Sequence, residues 1–202
     1  MKILHVASAL LLLVVAQSAN AIVIFSDDFN GENGGNGALN YNSFANWTVT
    51  DGTVDLIGNG YFDFQPGYGL YVDMDGSTNN AGNMATSIGI FFDSGTEYTL
   101  SFDVAGNNRV PTPELLAFGV GITGGLYADL LYYSAAEFNR DFSTYTVSFL
   151  GDGATHSIFF EGFGRDNIGM LLDNVTLVPE PATLALFGLG LVGFGFASRR
   201  KV

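Results

Sequence analysis

Between Thr96 and Val104 apolar and polar residues alternate one for one, with Tyr98, Leu100, Phe102 and Val104 on one side. The segment 141–149 repeats the pattern, placing Tyr145, Val147 and Phe149 inward and Thr144, Thr146 and Ser148 outward. A period of two with one polar face marks a half-buried antiparallel strand. Further apolar runs predict strands at 22–25, 47–57 (broken within), 68–73, 84–92, 115–122, 126–133, 156–161 and 168–177. Glycine, asparagine and aspartate fill the gaps, most densely at 30–37 and 75–82, as turns require. Neither a strong helix signal nor an internal repeat interrupts this series. The pattern predicts an all-β domain, an antiparallel β-sandwich of jelly-roll type.

Both ends depart from it. Met1-Lys2, an apolar run from Ile3 to Ala16 and the Ala19-Asn20-Ala21 cleavage sequence form a secretory signal peptide, residues 1–21. The partners this implies are the secretion translocon and signal peptidase, which acts after Ala21. At the other end, Pro179 and Pro181 lack an N–H and bias their neighbours away from the helical region, so Val178-Pro179-Glu180-Pro181 is extended. An uncharged apolar run of 16 residues, 182–197, follows. As a helix it reaches roughly 24 Å, short of a ~30 Å hydrocarbon core but insertable by local thinning. Arg199, Arg200 and Lys201 mark its end as cytoplasmic. The competing reading is a buried C-terminal core helix. The expected organisation is thus a signal helix (1–21), a sandwich ectodomain (22–177) and a tail (178–202) with one hydrophobic helix. Gly188-x-Gly190-x-x-Gly193 within the tail spells a dinucleotide-binding fingerprint, but the chain given ends nine residues later, without the strand and acidic residue that motif requires.

Removing the two ends changes the charge. The whole chain is −13. The span 22–177 holds only Arg109, Arg140 and Arg165 against nineteen acidic residues, leaving it near −16 with no lysine. Nucleic acid is excluded as a partner, because phosphate binding needs cationic contacts. Cysteine is absent, so neither disulfides nor Cys-His chemistry is available. With His156 as the domain's one histidine, a zinc centre and a Ser-His-Asp site are both disfavoured. Glycoside hydrolysis needs only two facing carboxylates, and among nineteen acidic residues some pairs at that spacing arise by chance.

Such an acidic exported domain suits either a structural calcium, held through oxygen ligands, or a soluble, repulsive surface. Asp173 alternates onto the same side as Leu171, Val175 and Leu177, where a buried carboxylate must be hydrogen-bonded, paired or metal-bound. The open alternatives are backbone N–H groups of a neighbouring loop, calcium shared with Asp27 or Asp28, an ion pair with Arg165, or a different strand register. Asp73-x-Asp75-Gly76-Ser77 is a second candidate calcium loop, although position six is Thr78 rather than the glycine of an EF-hand. The competing reading there is a strand running into a polar turn. The glycine- and asparagine-rich segment 30–37 reads as a flexible surface loop. Among the aromatics Trp47, Tyr68, Tyr71 and Tyr127 are candidate sugar-stacking faces, with Tyr41, Tyr61, Tyr132 and Tyr133 further choices. For Trp47, burial between the sheets is favoured over a sugar platform.

The tail, with its Pro-Glu-Pro, short hydrophobic helix and basic end, closely resembles the PEP-CTERM sorting signal of Gram-negative bacteria. The resemblance implies recognition by a membrane-embedded exosortase, transient membrane insertion, cleavage near Pro179-Glu180-Pro181, and transfer to the cell surface or an extracellular polysaccharide matrix. Leu171 to Leu177 as a last strand, with Asp27-Asp28-Phe29 near the start, resembles the galactose-binding-like jelly rolls, which include bacterial carbohydrate-binding modules. The segments 52–57, 71–77 and 100–107 look like segments of ectodomains carrying such tails. In that family a structural calcium ties the first strand to the last, and sugars bind at an aromatic-lined loop edge or concave face. The resulting expectation is a non-catalytic glycan-binding or structural matrix module, with a purely adhesive protein or a carboxylate glycosidase as the alternatives.

Overall fold

Twelve strands form, at least one overlapping each expected segment, in a computed structural model that describes residues 22–109, 111–121, 126–134, 137 and 140–180. They are β1 (Phe25–Asp27), β2 (Trp47–Thr50), β3 (Asp55–Gly58), β4 (Leu70–Asp73), β5 (Asn83–Thr86) and β6 (Ile90–Phe92). After these come β7 (Glu97–Ala105), β8 (Glu114–Gly121), β9 (Tyr127–Tyr133), β10 (Ser143–Leu150), β11 (Ala154–Phe163) and β12 (Leu171–Pro179). The first sheet runs β10-β7-β12-β4-β3 with β1 also on β12; the second runs β2-β5-β11-β8-β9 with β6 also on β11. The described unit spans Val23–Val178. The expected signal helix and the tail helix with its basic end lie outside the described residues. Among the described residues no helix is long and apolar enough to cross a membrane.

The inward rows of the two sheets meet in one aromatic core. Phe102 of β7 is fully buried, with ring centroids 4.8 Å from Phe118 and 5.1 Å from Phe160 on the opposing sheet. Truncating such a ring loses both its transfer energy and its packing contacts. We expect Phe102→Ala to destabilise the fold by about 3–5 kcal/mol in denaturant unfolding; a loss under about 1 kcal/mol would mean the two sheets do not meet there.

Two expected strands are split, for local reasons. The segment 47–57 divides at Asp51-Gly52, whose φ angles are 50° and 112°. The turn sends β2 to the second sheet and β3 to the first. Only glycine fits at 52, because a Cβ there would run into the carbonyl of Ala81. The segment 84–92 breaks at 87–89, and β5 and β6 pair with successive parts of β11, at 159–161 and 154–156.

The last strand corrects the expected register. Leu172, Val175 and Leu177 belong to the core between the sheets, whereas Leu171 packs with Ile57, Tyr71 and Ala105 in a separate cluster under Phe64 and Phe142. Inward positions therefore stand three apart between Leu172 and Val175. One extra residue is inserted, and Asn174 takes a left-handed φ of 49° to accommodate it. Leu171 does not share a side with Val175 and Leu177, and Asp173 sits in the bulge. The bulge lies between the residues that pair with β4 (171–172) and those that pair with β1 (175–177).

Candidate functional site

The outer face of the second sheet carries a groove, and its lining follows from register. In β11, Ile158 and Phe160 are fully buried, so Ser157, Phe159 and Glu161 face outward. In β8, Leu116, Phe118 and Val120 point into the core and leave Leu115, Ala117, Gly119 and Gly121 outside. Pairing then builds two rows across five strands. One is Thr50–Asn83–Glu161–Ala117–Leu130 and the other Thr48–Ala85–Phe159–Gly119–Ala128. Five strands at ~4.8 Å spacing give a row about 19 Å long. Alanine and glycine at the centre, with larger residues around them, leave a trough of about 610 Å³.

Two features distinguish its floor. The Phe159 ring lies over Gly119: a Cβ at 119 would meet its Cζ at 2.8 Å and would run into the Tyr127 carbonyl. A glycine here therefore lets an aromatic ring rest directly on the neighbouring strand. Beside it, the half-buried carboxylate of Glu161 has no hydrogen-bond or ion-pair partner among the described residues. Thr50, Asn83 and Ser157 supply neutral polar groups to the lining. Asp129 also borders the groove, but it pairs with inward-pointing Phe118 and turns its carboxylate to the inner side, where it accepts the Tyr127 hydroxyl at 3.2 Å. An aromatic face beside hydrogen-bonding groups in an open trough is an arrangement that binds an amphipathic, elongated molecule.

The carboxyls with raised proton affinity lie elsewhere. Glu114 is buried against Asn107 and Thr112, and burial pushes it up to about 8, with Asp166, Asp73 and Asp75 adding repulsion. Asp73 accepts a 2.6 Å bond from the Arg109 guanidinium and N–H bonds from Asp75 and Gly169. Burial nonetheless holds it up, at about 7. Asp75 is fully buried and accepts the Asp166 N–H. These contacts tie the segment after β4 to the loops before β8 and β12. The Asp73–Asp75 pair is thus a structural pin: both Asp73 oxygens are hydrogen-bonded, whereas Asp75 Oδ1 is buried without a partner among the described residues.

At the other candidate position, Asp27 accepts the Phe29 N–H through one oxygen and Asn46 Nδ2 and Trp47 Nε1 through the other. Asp28 accepts the Asn30 N–H. These residues line a polar cleft of about 540 Å³ with Ser26, Glu32, Asn46 and Asn174. Asp173 is 1% exposed and bonded only to the N–H and amide of Asn174, at 2.7 and 3.4 Å. Among the described residues no neighbouring loop gives it the expected N–H bonds. Arg165 is exposed and forms no ion pair among the described residues. Burial, then Asp103, Asp28 and Asp27, push Asp173 up to about 7.

The aromatics named from sequence do not gather in the groove. Trp47 is 2% exposed and packs 5.8 Å from Phe160, with its N–H donated to Asp27; its sugar-platform alternative is corrected to burial in the core. Tyr71 is also buried, its hydroxyl donating to Asp63 and accepting the Gln65 N–H. Tyr68 is exposed but packs on Phe142, away from the second sheet's outer rows. Tyr127 is half-buried against Phe118 on the inner side of its strand and approaches Gly119 only through its carbonyl. Phe159, Glu161, Asn83 and Gly119 were missed. The available signal was an aromatic at 159 on the polar side of an alternating strand whose inward residues are Ile158 and Phe160.

Residues 177–201 match the PEP-CTERM protein-sorting motif. This motif implies exosortase processing; of its residues, Val178, Pro179 and Glu180 are described, and Pro181, Arg199, Arg200 and Lys201 lie outside. Comparison with curated proteins gives no match. The sandwich has the fold of carbohydrate-binding-module jelly rolls. The CBM22-1 xylan-binding domain of Paenibacillus barcinonensis Xyn10C aligns at TM-score 0.50 and 14% identity, over 81% of this chain and 97% of that one. The CBM22-1–CBM22-2 tandem of the same protein aligns at 0.50 and 14%, over 81% and 47%. A CBM61 domain in complex with β-1,4-galactotriose aligns at 0.48 and 14%, over 69% and 92%.

Proposed function

We propose that this chain is an exported surface or matrix protein whose sandwich binds a glycan chain in the groove across its second sheet, without catalysing its cleavage. The signal peptide (1–21) directs export, the ectodomain (22–177) carries the activity, and the tail (178–202) inserts in the inner membrane of a Gram-negative cell until an exosortase acts on it. The observation that carries the reading is the Phe159 ring seated on Gly119 beside the unpartnered Glu161, within a trough long enough for several sugar units. A pyranose presents an apolar C–H face to such a ring and hydroxyls to Glu161, Asn83 and Thr50. The non-catalytic reading rests on the acids. Glu114, Asp73 and Asp173, whose proton affinity is raised, do not line the groove. A glycosidase acid needs that property where the substrate lies. A glycan-array screen of the chain tests the reading: binding to extended polysaccharide fragments supports it, and an array without any bound glycan contradicts it.

Asp173 is the position we propose for calcium. It is a buried carboxylate without a cationic partner among the described residues, and three acidic side chains, Asp103, Asp28 and Asp27, are near enough to repel it. Among the described residues no three acidic side chains come close enough to cage a metal by themselves. Asp173 and Asp28 would hold the ion, with further oxygens from backbone and water, and its charge would tie the bulge of β12 to the segment after β1. Millimolar calcium is then expected to raise the melting temperature by about 5 °C, and Asp173→Asn to abolish the rise. An unchanged melting temperature would remove calcium from the account.

A further inference from the structure

We infer that the glycan held in this groove carries free, protonated amino groups, as in a partly deacetylated amino-sugar polymer. The inference rests on the groove reading above and adds the ligand's charge to it. Glu161 is half-buried between Asn83 and Ala117 of the adjoining strands and lacks any partner among the described residues. No basic side chain lines the trough. Of the described cations, Arg109 pairs with Asp73 and Arg140 with Glu137, and Arg165, in the loop after β11, does not line the trough. A carboxylate without a counter-charge in a partly desolvated site gains more from an ammonium than from a hydroxyl. Around it, a domain near −16 repels uronic-acid polymers and concentrates cationic ones at its surface. The Phe159 ring serves the same ligand twice, through stacking on the sugar face and through attraction of a nearby ammonium to its π face.

The test is a titration of the full chain with fully acetylated and fully deacetylated β-1,4-glucosamine hexamers, followed by calorimetry at low and at physiological salt. The deacetylated hexamer is expected to bind ~10-fold tighter or better, with the advantage shrinking as salt rises. Glu161→Gln should bring the two hexamers to within about twofold of each other, since an amide offers no charge to the ammonium. Equal affinities in the unaltered chain, or a preference that survives Glu161→Gln, would overturn the inference. Binding of neutral xylan or glucan fragments but not of either hexamer would overturn it too, while leaving the groove reading intact. If Phe159→Ala changes the binding of no oligosaccharide, the groove reading itself fails.

Discussion

Phe159→Ala should weaken glycan binding by about 30-fold, corresponding to ~2 kcal/mol for the loss of a central aromatic anchor, while costing the fold less than about 1 kcal/mol. The two effects separate because of where the ring lies. It rests on Gly119 outside the sheet, whereas Ile158 and Phe160 on either side of it fill the core. Tyr68→Ala provides the contrast. Tyr68 is an exposed aromatic that packs on Phe142 rather than in the groove, so its removal should leave affinity unchanged. Affinity lost at Tyr68 and retained at Phe159 would move the binding surface to the loop before β4.

Glu114→Gln should stabilise the protein at pH 8 by on the order of 3 kcal/mol and have little effect near pH 4. Glu114 is 3% exposed, and burial raises its carboxyl from 4.5 to about 8. The folded state therefore holds this proton more tightly than the unfolded chain does. Its contribution is complete below about pH 4.5 and is lost as pH rises through about 8. Glutamine keeps the oxygen that accepts from Asn107 and Thr112 and never ionises. Asp173, raised to about 7 by burial, adds to the same trend in the absence of calcium. Melting temperature measured from pH 4 to 9 should fall across this window in the unaltered chain and fall less in Glu114→Gln. A flat profile, or destabilisation by Glu114→Gln at pH 8, would contradict this account of the buried acids.

The parts of this molecule legible in its sequence are those with a local cause. Alternation at 96–104 predicts which residues of β7 are inward, because a strand's two faces repeat every second residue. The PEP-CTERM motif is legible for the same reason: its parts lie within 25 consecutive residues. Alternation also failed locally, at Asp173-Asn174. One inserted residue reverses the sides of a strand, and nothing in Leu172-Asp173-Asn174-Val175 announces it beyond an asparagine tolerant of positive φ. The groove was illegible because it is a product of pairing. Asn83, Ala117 and Glu161 become neighbours only through the registers of β5, β11 and β8. Tyrosines and the tryptophan drew attention as sugar platforms, yet a sandwich core needs large aromatics as well, and Trp47 and Tyr71 went to buried positions. The platform left outside is a phenylalanine flanked by two core residues of its own strand.

Glycan binding across the outer face of the second sheet is the central claim, and residue-resolved NMR titration tests it most directly. Full-length chain titrated with the oligosaccharide that binds best on an array should show its largest shifts at Thr50, Asn83, Ala85, Ala117, Gly119 and Phe159. Shifts confined to Tyr61, Phe62 and Tyr68, or absent at saturating ligand, would contradict it.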